Sequence, residues 1–154
     1  MSLIRLKFKI VLVAAIHFVF FSALAQTNQT LFKLLPPSKT GIHFNNQLFE
    51  NDTLNILNQA NIYNGGGVGI GDFNKDGLMD VYFAGNMVSN KLYLNKGNLQ
   101  FSDITKIANV DGQGRWSTGV TIVDINRDSW PDIYVSASFS SDSKKRTNLL
   151  YINQ

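Results

Sequence analysis

From residue 61 onward, short apolar or alternating runs are separated by glycine and asparagine. Val68 to Phe73, Asp80 to Ala84 and Lys91 to Asn95 are such runs, and Leu99-Gln100-Phe101-Ser102-Asp103-Ile104 alternates apolar and polar. Period-two patterning over four to six residues predicts half-buried strands. Lys96-Gly97-Asn98 predicts a hairpin turn between the last two runs. No segment of this region holds the 3.6-residue period of a helix. Upstream, Pro36-Pro37-Ser38 reads as a linker-like break, and Asp52 to Gln59 suits a short helix or a loop equally well. Thr40-Gly41-Ile42-His43-Phe44 resembles the alternation around Phe101 and suits the outer strand of a blade completed by the other end of a longer chain.

The pattern occurs twice. Gly67-Val68-Gly69-Ile70-Gly71-Asp72 aligns with Gly119-Val120-Thr121-Ile122-Val123-Asp124 at an offset of 52 residues, and Asp80-Val81-Tyr82-Phe83 aligns with Asp132-Ile133-Tyr134-Val135 at the same offset. Asn90 to Asn95 aligns with Asn148 to Asn153 at an offset of 58. The six extra residues fall in the Ser-rich stretch Ser136 to Thr147, where a surface loop tolerates insertion. Four strands in about 50 residues is the size of one propeller blade. The expected fold class is therefore all-β, with antiparallel four-stranded blades of a partial β-propeller. The organisation reads as residues 1–25, a signal peptide; 26–60, a lead-in; 61–110, a first repeat; and 111–154, a second repeat lacking its last strand. Repeat arrays rarely end in mid-unit, so further blades of a longer chain are expected partners. The alternative is a small protein closed by self-association.

The first 25 residues carry a basic start (Arg5, Lys7, Lys9), an apolar run from Ile10 to Phe21, and Ala23-Leu24-Ala25 before Gln26. This is the three-part pattern of a secretory signal cleaved after Ala25. The run falls short of the roughly 20 residues a spanning helix needs. An uncleaved anchor is the competing reading. The expected location is secreted, periplasmic or cell-surface, with no membrane span after cleavage. The whole chain of 154 residues carries +3, but three of its 14 basic residues leave with this segment, and the remaining 11 balance the 11 acidic ones. No nucleic-acid partner is therefore expected. The Lys144-Lys145-Arg146 triplet reads as a solvated turn. There is no cysteine, so any clamp on the fold outside the cytoplasm must be something other than a disulfide.

Chemistry concentrates in two loops. The first is Asp72-Phe73-Asn74-Lys75-Asp76-Gly77-Leu78-Met79-Asp80, the second Asp124-Ile125-Asn126-Arg127-Asp128-Ser129-Trp130-Pro131-Asp132. Oxygen side chains recur at positions 1, 3, 5 and 9 of each. Calcium takes about 6–8 oxygen ligands, and alternate spacing lets a chain wrap an ion with these side chains inward. Gly77 sits where a positive φ is easiest, and Ser129 replaces it in the second loop. Leu78 is expected to offer its carbonyl and send its side chain to the core; Lys75 is expected to point outward. Ordinary Asp/Asn turns are the plain alternative. An EF-hand is excluded, because the twelfth positions are Phe83 and Val135 inside predicted strands. With His43 the sole histidine beyond the signal segment, zinc and iron are disfavoured. The run Asn64 to Gly71 lacks dinucleotide or P-loop spacing and reads as close strand packing. No nucleophile–base constellation can be assembled, so no enzyme is expected.

Gly67-x-Gly69-Ile70-Gly71-Asp72-Phe73-Asn74-x-Asp76-Gly77-x-x-Asp80 resembles the FG-GAP/VCBS repeat, which builds the seven-bladed propeller of integrin α-subunits. The Asn64-Gly65-Gly66-Gly67 lead-in and the Tyr-x-Asn strand ends look like the ASPIC/UnbV-associated, cartilage-acidic-protein-like branch. The resemblance implies two calcium sites. Their ligands would be Asp72, Asn74, Asp76, Leu78 (carbonyl) and Asp80, then Asp124, Asn126, Asp128, Trp130 (carbonyl) and Asp132. Ser129 departs from the usual glycine and implies a weaker second site. The expected role is a binding or adhesion scaffold for a protein or glycan. The alternatives are the non-catalytic propeller part of a larger secreted carbohydrate-active enzyme, or a module of an outer-surface nutrient-uptake assembly.

Overall fold

Seven strands form two antiparallel sheets in a computed structural model that describes residues 30–140 and 142–154. The expected signal peptide lies outside the described residues. Residues 35–154 carry both repeats in one compact unit. Among the described residues no helix is long and apolar enough to cross a membrane.

The first sheet runs in the order β1 (Val68–Gly71), β2 (Asp80–Phe83), β3 (Lys91–Asn95) and β4 (Phe101–Asp103). The second runs β5 (Trp116–Val123), β6 (Asp132–Ser138) and β7 (Leu149–Tyr151). Each neighbour follows its predecessor in sequence, the meander of a propeller blade. Gly71 pairs with Asp80 and Val123 with Asp132. The two Asp-rich loops are therefore the connections of equivalent first hairpins. In the first sheet β4 covers the outer edge of β3 through Tyr93↔Asp103 and Asn95↔Phe101. In the second sheet β7 has no such cover among the described residues.

The core lies between the sheets. Phe73, Tyr82, Leu92, Val110, Ile133 and Val135 are buried together, with Val120, Ile122, Leu149 and Tyr151 packed against them. Strand β1 lies against β5 through its glycines. A Cβ at Gly69 would stand 2.6 Å from Val120 Cγ1 and 2.7 Å from Ile122 Cδ1. The glycine run is thus a close approach of two strands, as the packing reading of that run expects.

Two local expectations are corrected, at residues 40–44 and at Leu99, and the open reading of residues 52–59 is decided. Thr40 to Phe44 joins no ladder: Pro37–Thr40 is one helical turn (α1), entered through Pro37 and closed by Gly41 at φ 74. Proline suits the first helical position and glycine the left-handed stop. The lead-in is instead fixed by side chains. Phe44 stacks on Phe83 at 4.9 Å, His43 N–H donates to the Tyr93 hydroxyl at 3.3 Å, and Asn46 and Asn86 exchange two hydrogen bonds of 2.6 and 2.9 Å. Residues 52–59 form successive turns and no helix, because Asn51 and Asn55 accept from nearby backbone N–H groups and draw them away from a helical ladder. Leu99 belongs to the turn and not to β4, since Gly97, Asn98 and Leu99 all take positive φ (82°, 53° and 59°). One further helical turn, α2 (Thr105–Ala108), follows β4. The insertion of the second repeat holds a 3-10 turn at Ser143–Arg146, where the basic triplet is exposed.

Candidate functional site

Both loops take one conformation. Asp72 Oδ1 and Oδ2 accept from the N–H groups of Asp76 (3.1 Å) and Gly77 (2.9 Å). Asp124 accepts in the same way from Asp128 (3.1 Å) and Ser129 (2.9 Å). Asn74 Oδ1 accepts from Asp76 N–H at 3.2 Å while its amide donates to Asp76 Oδ2 at 2.9 Å; Asn126 and Asp128 repeat this at 3.1 and 2.7 Å. Asp76 and Asp128 each accept from the N–H two residues on, that of Leu78 or Trp130, at 2.8 Å. These are nested Asx turns, in which a short carboxylate or amide captures a nearby N–H. They curl the chain until positions 1, 3 and 5 face one another. The curl needs left-handed backbone at Lys75 and Gly77 (φ 57° and 83°) and at Arg127 and Ser129 (64° and 71°). Glycine enters that region freely, whereas Ser129 bears a strain of about 1 kcal/mol.

The hydrogen bonds hold the fifth-position carboxylates ionised. The Asn74 amide and then the Leu78 N–H keep Asp76 below the usual carboxylate range. The Trp130 N–H and then the Asn126 amide do so for Asp128, with a smaller contribution from the Lys75 charge.

Asp80 and Asp132 occupy a different place. Both are completely buried beneath their loops. Asp80 accepts from Phe73 N–H (2.9 Å) and Asn95 N–H (2.8 Å), and Asp132 from Ile125 N–H (2.9 Å) and Asn153 N–H (2.9 Å). Each ties its loop to the end of the third strand of its repeat. Burial pushes the Asp80 carboxyl up, against the pull of its two N–H donors. A carboxylate oxygen carries two lone pairs, so each keeps acceptor capacity beyond these bonds.

Among the described residues no three carboxylate, thiolate or imidazole groups gather closely enough to hold a metal by themselves. Each loop offers a different set: the carboxylates of positions 1 and 5, the amide oxygen of position 3, and backbone carbonyls. An all-oxygen set of this kind fits a hard cation such as calcium and does not suit zinc. Leu78 and Trp130 lie within the curl, but the Leu78 side chain is 36% exposed and does not enter the core. Lys75 is exposed as expected, yet it is not free: its Nζ lies 4.1 Å from the centre of the Trp130 ring in the other loop.

Two residue pairs escaped the sequence reading. Asn95 and Asn153 supply the N–H groups that satisfy the buried aspartates. Asn90 and Asn148 donate to the hydroxyls of Tyr82 (2.9 Å) and Tyr134 (2.6 Å) and accept from Gly85 and Ala137 N–H. Their recurrence at the 58-residue offset was the available signal.

No curated protein and no solved structure matches the chain. The sequence model of one family, described as an FG-GAP-like repeat, matches residues 72–135, from the first aspartate of the first loop to the buried Val135 of β6. Both nine-residue loops and the strands between them fall inside the match. Residues 72–135 thus carry an FG-GAP-like repeat.

Proposed function

We propose that the protein is a secreted, calcium-binding β-propeller module that serves as a binding or adhesion scaffold for a protein or glycan. The observation that carries this reading is the duplication of one curled loop, with oxygen side chains at positions 1, 3 and 5 held by the same hydrogen bonds. Asp72, Asn74, Asp76 and the Leu78 carbonyl would hold one ion. Asp124, Asn126, Asp128 and the Trp130 carbonyl would hold the other. Asp80 and Asp132, buried beneath, would keep each loop in this curl through their backbone N–H partners. Bound calcium supplies positive charge that offsets the repulsion of the clustered carboxylates and cross-links each hairpin. That cross-link does the work of a disulfide in a chain with no cysteine.

Thermal unfolding with calcium, with magnesium and with a chelator tests the reading. An ion present at a hundredfold excess over its Kd adds about 2.7 kcal/mol per site. A melting temperature raised by calcium and not by magnesium, with the rise lost in the paired Asp72→Ala, Asp124→Ala variant, is the expected result. A cooperative melt indifferent to calcium overturns it and leaves two self-satisfied Asx turns.

A further inference from the structure

We propose that Lys75, a residue of the first loop, is an affinity-determining residue of the second: its ammonium is a tethered cation at the second loop that competes with calcium there. The proposal rests on the calcium reading above. Its geometry is independent of that reading. Lys75 Nζ stands 4.1 Å over the Trp130 ring, the distance of a cation–π contact. Trp130 is the seventh residue of the second loop and donates its N–H to Asp128 at 2.8 Å. The ammonium of the first loop therefore rests on a residue whose backbone is part of the second loop's curl.

The placement is anchored. Asn153, at the end of the second repeat, donates its side-chain amide to the Phe73 carbonyl at 2.8 Å. Phe73 precedes Lys75 by two residues and is buried in the shared core. Lys75 itself is locked in left-handed backbone at φ 57 by the curl of its own loop. The side chain thus leaves a fixed point on the first repeat and ends on the second. The equivalent residue of the second loop, Arg127, has no ring contact among the described residues.

A divalent ion entering the second loop meets this ammonium. Repulsion between a single and a double charge several ångströms apart at a wet surface weakens binding by roughly threefold to tenfold. The same charge partly neutralises the second loop when it holds no calcium. Together with the strain at Ser129, this makes the second loop the weaker of the two.

Calcium titration of the protein followed by amide NMR separates the loops, with the Gly77 amide reporting the first and the Ser129 amide the second. Lys75→Met keeps the aliphatic stem over the ring and removes the charge. It is expected to tighten the binding read at Ser129 by about threefold to tenfold at low salt, with the gain shrinking toward molar salt. Lys75→Arg keeps the charge and is expected to titrate like the native protein. An unchanged Ser129 affinity in Lys75→Met, with both amides still responding, overturns the proposal and leaves the calcium reading standing. If neither amide of the native protein responds to calcium, the calcium reading fails and this proposal falls with it.

Discussion

The side-chain amide of Asn153 donates to the backbone carbonyl of Phe73 across 80 residues of sequence, at 2.8 Å. Its counterpart Asn95 donates to Met79 O at 3.0 Å, within its own repeat. One sequence position thus does two jobs: in the first repeat it closes a blade, and in the second it binds the blade to its neighbour. Asn153→Ala is expected to cost about 1 kcal/mol in urea unfolding, the net worth of one partly buried hydrogen bond. Because the Phe73 carbonyl belongs to the first loop, hydrogen exchange at Asn74 and Lys75 should quicken in the same variant. Asn95→Ala should leave that exchange unchanged. Equal exchange in the two variants would show that the bond does not couple the repeats.

The approach of β1 to β5 sets a second expectation. Gly69→Ala places a methyl 2.6–2.9 Å from side-chain carbons of Val120 and Ile122. Overpacking of this kind costs roughly 1–3 kcal/mol. Gly71→Ala meets Ile122 Cγ2 at 3.1 Å, a contact that a small shift relieves, and should cost less. Denaturant midpoints of the two variants check the order. A larger loss at Gly71 would mean that the sheets do not meet as described.

The buried aspartates make a third case. Asp132 accepts from Ile125 N–H with one oxygen and from Asn153 N–H with the other. Asp132→Asn keeps the shape but turns one acceptor into a donor that faces a backbone donor. An unsatisfied buried pair costs about 1–3 kcal/mol. The loss should appear with calcium removed by a chelator, because these two bonds need no metal. If the variant unfolds like the native protein under those conditions, Asp132 has no part in pinning the loop.

Much of this architecture was legible in the sequence because the repeat states it twice. The third strand runs from Lys91 to Asn95 as its pattern predicts, and the loop oxygens at positions 1, 3 and 5 converge as their spacing predicts. What escaped lay beyond the reach of periodicity. Leu99 alternates like a strand residue, but the turn requires three consecutive positive φ values and takes it. Thr40 to Phe44 has the alternation of a strand and no partner strand among the described residues. It is held by the Phe44–Phe83 stack and the Asn46–Asn86 clasp, contacts between residues some 40 positions apart. The role of position 9 was also hidden. Spacing places Asp80 among the ligands, and only the tertiary structure reveals the two N–H donors that already hold it.

The ion pair of Lys91 and Asp103 gives a pH dependence with a definite sign. Their charged atoms lie 2.8 Å apart. Partial burial pulls the Asp103 carboxyl up, but the Lys91 ammonium and the Thr105 hydroxyl and N–H outweigh it and hold the group below the usual range. A carboxyl depressed in the folded state stabilises above its unfolded value, and the contribution is lost as pH falls through the folded value. Lys91 is raised by the same bond, so its share is lost only as strongly alkaline pH passes through its folded value. Both side chains are about a third exposed, which limits the coupling to roughly 0.2–1 kcal/mol. A double-mutant cycle of Lys91→Met and Asp103→Asn should show that coupling at pH 7 and lose it at about pH 2. A coupling that persists in acid would assign the pair's effect to packing.

Ser129 carries the last prediction. It holds φ 71 where its counterpart Gly77 holds φ 83. A side chain in that region costs about 1 kcal/mol over glycine, and glycine also gives the unfolded chain more freedom to lose. The two effects oppose each other, and strain is the larger where the native backbone is truly left-handed. Ser129→Gly is therefore expected to stabilise the protein by up to about 0.5 kcal/mol without metal. It should also tighten calcium binding at the second loop, because the curl then forms with less strain. The reverse change, Gly77→Ser, should weaken the first loop by a similar factor, since open space around Gly77 leaves backbone strain as the main cost. Calcium titrations of the exchanged pair decide the matter. If the second loop stays the weaker in the Ser129→Gly, Gly77→Ser protein, the difference between the loops comes from their surroundings, Lys75 foremost, and not from the residue at the bend.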